Sequence, residues 1–317
     1  MKLRNILIGA AGAVGATALL NRVLESRAGE FEPYLDGDQG TYRWRGFGIS
    51  YAELGDPADE DLLLLHGTNA AASGHEYYTV ANALAEEYHV IVPDMPGYGH
   101  SDRPPLLYSA SLYESFVEDI IEDLTDDPTV VASSLSNSYA AAAAQNVDIS
   151  RLICICPTDS SMGSRQVWLR ALIRSPVVGS ALYNLMISKP SIRYFNADHG
   201  YYDAESVPEE IVDYEWTTSH QPGARFAPAS FISGFLDPEG SLEEHLSNVD
   251  IHTTFVWGRN ADMTPLSEGR ELAEHVDAGL IVFDQAKLLP HVEHPEEFVD
   301  VVRGEVGDTQ RERTEQA

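Results

Sequence analysis

From Thr41 onward, short apolar runs alternate with segments whose apolar residues recur at helical spacing. Thr41–Arg45 and Gly48–Ala52 are predicted to form a short antiparallel strand pair, closed by Gly55-Asp56-Pro57. Leu62–Leu65 reads as a buried strand ending in His66-Gly67, and the spacing predicts a helix over Glu76–Glu87. Next come a strand at His89–Pro93, a helix over Ser111–Leu124, a strand at Thr129–Ala132 and an alanine-rich helix over Asn137–Gln145. Arg151–Cys156 is a further strand. After a gap the alternation resumes with the strand His252–Trp257, the helix Pro265–His275, the strand Leu280–Phe283 and a helix over Glu293–Arg303. Strands alternating with helices predict an α/β protein with a mostly parallel, doubly wound sheet covered on both faces. Between Asp159 and Glu244 the pattern breaks into helical pieces rich in Pro, Tyr and Arg, as an inserted helical cap would.

The first residues differ from all of this. Lys2 and Arg4 precede a Gly/Ala-rich apolar stretch from Ile6 to Leu20, followed by Asn21-Arg22. As a helix, fifteen residues span roughly 22 Å, short of the ~30 Å hydrocarbon core of a bilayer. A positive start, an apolar middle and Ala16-Thr17-Ala18 suit a signal-like segment or a weak anchor, with membrane contact through residues 6–20. A soluble amphipathic helix is the competing reading. The expected organisation is residues 1–22 as anchor or signal-like segment and 23–40 as tether. The α/β core then covers 41–160 and 245–304, the helical cap 161–244 and a polar tail 305–317. The expected location is membrane-associated or exported, with the cytoplasm as the alternative.

Charge narrows the partners. Fifty acidic residues face twenty basic ones, a formal net charge of −30, and only Lys2, Lys189 and Lys287 are lysine. That field repels phosphate backbones and argues against nucleic-acid binding and against docking on anionic lipid by charge alone. An acidic, lysine-poor surface suits a halophilic cytoplasm, where salt screens the self-repulsion. Cys154 and Cys156, two residues apart in a strand, read as small buried hydrophobes. The His and Cys spacing suggests no metal site, and no glycine-rich phosphate loop appears, so neither metal nor cofactor is expected.

Three motifs follow predicted strands. Leu65-His66-Gly67-Thr68-Asn69 is a tight turn whose backbone N–H groups lie near a strand's carboxyl end, suited to an oxyanion. Asp94-Met95-Pro96-Gly97-Tyr98-Gly99-His100-Ser101 reads as a structural loop. Val130-Val131-Ala132-Ser133-Ser134-Leu135-Ser136-Asn137 is a strand, a small-x-Ser-x-small turn and a helix start, a geometry that lifts a hydroxyl clear over a helix N-terminus.

In this order, together with Val256-Trp257-Gly258 leading to Thr264-Pro265 and Pro290-His291-Val292-Glu293-His294-Pro295, the motifs resemble the α/β-hydrolase fold family. The likeness is to its cap-bearing esterases, epoxide hydrolases and haloperoxidase-like enzymes. The resemblance implies Ser134 as nucleophile, with the backbone N–H groups of Thr68 and Leu135 as oxyanion donors. It also exposes a departure: the family's acid position falls on Ala261, one before Asp262, and its histidine position falls on Leu288, after Lys287 in place of the customary glycine. Serine needs a proton acceptor within reach, and leucine is none. Asp262 as acid and His291 as base are the nearest substitutes, with His66 and Asp159 as further candidates. The expected function is a serine hydrolase of small hydrophobic esters or related acyl substrates. A noncatalytic binding protein for a small hydrophobic ligand is the alternative.

The charge balance generates one prediction. Raising potassium chloride from about 0.1 M to about 2 M screens carboxylate repulsion and should raise the thermal midpoint by several degrees. A flat or falling midpoint would remove the halophilic reading.

Overall fold

The computed structural model describes residues 2–160 and 164–304, with side chains from Val14 onward. The predicted polar tail at 305–317 lies outside the described residues, as do residues 161–163 at the start of the predicted cap.

Strands β1 (Asp38–Trp44), β2 (Phe47–Leu54), β3 (Glu60–Leu65), β4 (Tyr88–Pro93), β5 (Thr129–Ser133), β6 (Arg151–Ile155), β7 (His252–Gly258) and β8 (Gly279–Phe283) join in one sheet. Their spatial order is β1-β2-β4-β3-β5-β6-β7-β8. β2 runs antiparallel to β1 and β4, and every pairing from β4 through β8 is parallel. Leu62 to Leu65 are all fully buried, because a parallel strand covered on both faces has no solvent side. Each such leucine contributes about 1.5–3 kcal/mol of burial.

Helices α1 (Lys2–Ala28), α2 (Ala81–Leu84), α3 (Ala110–Leu124) and α4 (Ser136–Ala143) belong to the first half of the chain. α3 shows how the pattern works: Tyr113, Phe116, Val117, Ile120 and Ile121 form one buried stripe, and the Ser109 hydroxyl caps the first turn by accepting from Leu112 N. Between β6 and β7 lie α5 (Val167–Arg174), α6 (Val178–Met186), α7 (Lys189–Phe195), α8 (Glu209–Ser219), α9 (Phe226–Ile232) and α10 (Leu242–Leu246). α11 (Leu266–His275), α12 (Pro290–Glu293) and α13 (Pro295–Arg303) complete the chain's described helices.

Three local differences from the sequence expectations have physical causes. The helix expected over Glu76–Glu87 is reduced to a 3₁₀ turn at Gly74–Tyr77 and the single turn α2. Tyr77-Tyr78-Thr79-Val80 between them are aromatic and β-branched, poor helix formers. The segment expected as a tether from residue 23 is helical to Ala28, and Gly29, at a φ of 62°, ends the helix with a left-handed residue. The chain after Gly29 is also packed: the Phe31 ring lies 3.9 Å from His100, and Tyr34 meets Tyr214 at 4.9 Å. Finally, Leu236, Leu242 and Leu246 join the main core, so the inserted helices separate from the core well before residue 244. Ile173, Tyr183, Ile187, Ala224 and Ala229 form the insertion's own small core.

No helix among the described residues is long and apolar enough to cross a membrane.

The loops after β7 and β8 pack backbone to backbone. A Cβ built on Gly258 would lie 1.9 Å from the Lys287 carbonyl oxygen. Gly258→Ala should therefore cost about 1–3 kcal/mol in a urea melt, because backbone must move to admit the methyl. An unchanged melt would show that these loops are not in close contact.

Candidate active site

The carboxyl ends of β3, β5, β6, β7 and β8 open onto one cavity of about 360 Å³. Its floor includes Gly67, Thr68, Ser133, Ser134, Cys156 and Leu288, and its cover includes Phe195, Asn196, Tyr201, Ile211 and Glu215 from the inserted helices. Size and position suit a small ligand.

Ser134 sits on the turn between β5 and α4 with a φ of 54°, left-handed backbone that an L-residue adopts at a cost of about 1–2 kcal/mol. Its neighbours hold it there. Ser134 N donates to Ile155 O at 3.0 Å, and the Asn137 amide donates to Ser134 O at 2.7 Å. The Ser136 hydroxyl, where glycine is usual, donates to His66 O at 2.6 Å and ties this turn to the loop after β3. Ala132 and Ser136 are fully buried, so both extra Cβ atoms are accommodated. Gly67 is needed for closeness: a Cβ there would lie 3.3 Å from Ser133 Oγ, 3.4 Å from Glu76 Oε2 and 3.4 Å from Ser134 Cβ. The Thr68 and Leu135 amides make no backbone hydrogen bond among the described residues, and Thr68 lines the cavity.

The candidate bases and acids are dispersed. Leu288 lines the cavity and presents an alkyl group there. His291 does not line it. It is 0% exposed, between Tyr77 and Phe298, and burial pushes its pKa down to about 3. His66 is fixed in the loop after β3: Nε2 accepts from Met95 N at 3.0 Å, so the neutral ring donates from Nδ1 to Gly67 O at 2.7 Å. Burial holds its pKa at about 4. Asp159 accepts from the Ser138 hydroxyl and from Leu242 N, a structural tie between α4 and α10. Asp94 and Ser101 bond backbone, with Asp94 accepting from Gly74 N and His100 N.

Asp262 is half exposed and turned toward the cover, where its carboxylate lies 3.2 Å from His199 Nδ1. Lys287 points the same way, its ammonium donating to the Ala197 and Asp198 carbonyls at the end of α7. Glu293 completes the attachment: Oε1 accepts from Tyr202 N at 2.6 Å and Oε2 from Lys287 N at 2.9 Å. Asp262, Lys287 and Glu293 together hold down residues 197–202.

Sequence reasoning missed the titratable groups that do line the cavity. Glu76, His75 and Glu215 all reach it. Glu76 Oε2 accepts from Gly67 N at 2.8 Å, while Oε1 has no hydrogen-bond partner and lies 3.6 Å from His291 Nε2. Burial raises the Glu76 pKa against the opposing pull of the Ser133 hydroxyl and Gly67 N–H. Because burial drives Glu76 and His291 alike toward their neutral forms, their approach is a polar contact rather than a strong ion pair. His75 bonds the Ser73 hydroxyl through Nδ1 at 2.7 Å and lies 3.7 Å from Glu215. Glu76 fell within a predicted helix, and no spacing rule connects it to Gly67; the sole signal is a charge nine residues after the turn it bonds.

Comparison with known proteins agrees with this architecture. A family model described as Alpha/beta hydrolase family matches residues 62–301. A 2-hydroxy-6-oxononadienedioate/2-hydroxy-6-oxononatrienedioate hydrolase 2 of Pseudomonas putida is 24% identical over 264 residues, 79% of this chain and 88% of the relative. A pimeloyl-[acyl-carrier protein] methyl ester esterase of Aeromonas salmonicida is 26% identical over 255 residues, 78% of this chain and 95% of the relative. Among solved structures, a mutant meta-cleavage product hydrolase superposes with a TM-score of 0.66 at 23% identity, covering 83% of this chain and 96% of its own. A membrane phospholipase A described as a bacterial virulence factor gives 0.66 at 19% identity and covers 96% of both chains. At these identities the structural likeness speaks for the fold.

The strained turn makes a stability prediction. Ser134→Gly should be about 1 kcal/mol more stable than Ser134→Ala in urea denaturation, since glycine relieves the left-handed backbone and alanine does not. Equal stabilities would mean that the turn stores no strain.

Proposed function

Because the chain belongs to the alpha/beta hydrolase family, we propose that it hydrolyses small hydrophobic esters or related acyl compounds through Ser134. The observation that carries this reading is the left-handed Ser134 backbone at the cavity floor, a costly conformation whose use is to present a hydroxyl. The names of the relatives, a dienedioate hydrolase and a methyl ester esterase, support an acyl substrate.

With Leu288 at the histidine position, the proton acceptor in this reading is Glu76. Its Oε2 and the Ser134 Cβ both lie within 3.4 Å of one point beside Gly67, and its raised pKa makes it a stronger base than an ordinary carboxylate. Glu76 takes the Ser134 proton as the hydroxyl attacks the acyl carbon, and the Thr68 and Leu135 N–H groups receive the oxyanion. Collapse expels the alcohol, which carries the proton away from Glu76. Water attacks the acyl-enzyme with Glu76 again as base; the acyl–Oγ bond then breaks, the acid leaves, and Ser134 Oγ takes the proton back from Glu76. His291 is a positioning residue behind the carboxylate. The cost of this arrangement is that a carboxylate near an oxyanion opposes the charge that develops there, so turnover is slow. The second reading, a noncatalytic ligand-binding protein, is favoured by Leu288 in the cavity wall. We also read the N-terminal segment as a membrane contact, supported by its basic start and apolar residues.

A fluorophosphonate probe separates the two readings. Wild type should label slowly, Ser134→Ala should abolish labelling, and Glu76→Gln should slow it by about 10²-fold. The wild-type rate should fall as pH drops through the raised Glu76 pKa, because only the carboxylate accepts a proton. Leu288→His with Lys287→Gly should raise the rate modestly, since Asp262 is held by His199. No labelling of wild type would leave the binding reading, and labelling indifferent to Glu76→Gln would displace Glu76 as base.

A further inference from the structure

Charge is segregated along this chain to an unusual degree. From Ser160 to Ala197 there is no acidic residue at all, although the protein carries fifty; the same stretch holds Arg165, Arg170, Arg174, Lys189 and Arg193. Residues 1–28 carry four basic residues against Glu25 alone. These two stretches fold together: α1 packs on α6 and α8, and α6 on α5 and α7. The Asn21 amide donates to Val177 O at 2.9 Å, and Asn184 donates to Asn21 Oδ1 at 3.0 Å.

The same helices gather the exposed apolar side chains. Of fifteen large hydrophobic residues that stand exposed among the described residues, twelve are on α1, α5, α6 and α7. Trp168 is 65% exposed and Leu185 69%; Leu182 and Met186 are exposed beside Leu185 on α6, and Leu19 and Leu20 are exposed on α1. Soluble surfaces rarely concentrate apolar area in this way. Lys189 and Arg193 are paired with Asp213 and Glu209 of α8, which places the acidic border at that helix and leaves Arg165 on α5's side without an acidic neighbour in sequence.

We propose that the face formed by α1, α5, α6 and α7 docks on an anionic lipid bilayer. The charge argument selects this occupant. In a chain of net −30, these four helices together carry eight basic residues and one acidic residue, Glu25, a balance that a negative membrane attracts, and their exposed Trp, Leu and Tyr side chains suit the headgroup boundary. The face is continuous with the cavity cover, since Phe195 is 41% exposed on α7 and also lines the cavity. The proposal extends the reading of the N-terminal segment as a membrane contact to the inserted helices, and the test keeps the two apart.

The experiment is vesicle flotation of the full chain, at the lowest salt at which circular dichroism is that of the folded protein. The arms are phosphatidylglycerol vesicles and phosphatidylcholine vesicles. The full chain should float with phosphatidylglycerol, and at least tenfold less with phosphatidylcholine. Trp168→Glu with Leu185→Glu, both on exposed positions, should lower binding to phosphatidylglycerol at least tenfold with circular dichroism unchanged. Loss of binding on Leu19→Glu with Leu20→Glu, with no effect of the α5 and α6 substitutions, would keep the N-terminal reading and overturn this proposal. No flotation of the full chain overturns both. A dimer in analytical ultracentrifugation that Trp168→Glu with Leu185→Glu dissociates would assign the face to a second copy and overturn the bilayer.

Discussion

Ser134 is held in left-handed backbone by hydrogen bonds at two other strands' ends, to Ile155 at the end of β6 and, through Ser136, to His66 after β3. That constraint requires β3, β5 and β6 to end at the same level, which their register provides: Leu65 pairs with Ala132 and Ser133 with Ile155. It also requires Gly67 to lack a side chain, because Ser133, Ser134 and Glu76 converge on its α-carbon. The sheet order is thus what brings residues from distant parts of the chain to one cavity floor.

Desolvation sets the chemistry that this floor can support. His66 and His291 are buried and Glu76 is nearly so, and each is pushed toward its neutral form. For the histidines this removes them as bases: His66 has both ring nitrogens engaged, and His291 lies behind Glu76 rather than in the cavity. For the carboxyl the same effect works in the other direction, making it more basic. One physical cause therefore disarms the imidazoles and strengthens the carboxylate.

The fold was legible because strand and helix periods are local properties, and the turns after β3 and β5 announce themselves through small residues. Ser134, Thr68 and Leu135 follow directly from those turns. The rest of the cavity was not legible. Glu76 owes its environment to Gly67 and His291, and Glu215 approaches His75 from 140 positions away in the chain. Asp262 looked like an acid displaced by one residue, yet its direction is set by His199 on the inserted helices, which no pattern near residue 262 reveals. The run of α1 past residue 22 was hidden by its polar composition, although Val23 to Ala28 are adequate helix formers and Gly29 marks the stop.

The attachment of residues 197–202 bears on how the protein could change. Lys287, Asp262 and Glu293 each spend their charge on fastening the cover, and they occupy the loops in which an acid and an imidazole would otherwise cooperate. A substitution that freed Asp262 to orient an imidazole at 288 would release His199, and a glycine at 287 would release two carbonyls of the cover. Placing an imidazole at 288 and keeping the cover closed are therefore competing demands on the same three residues.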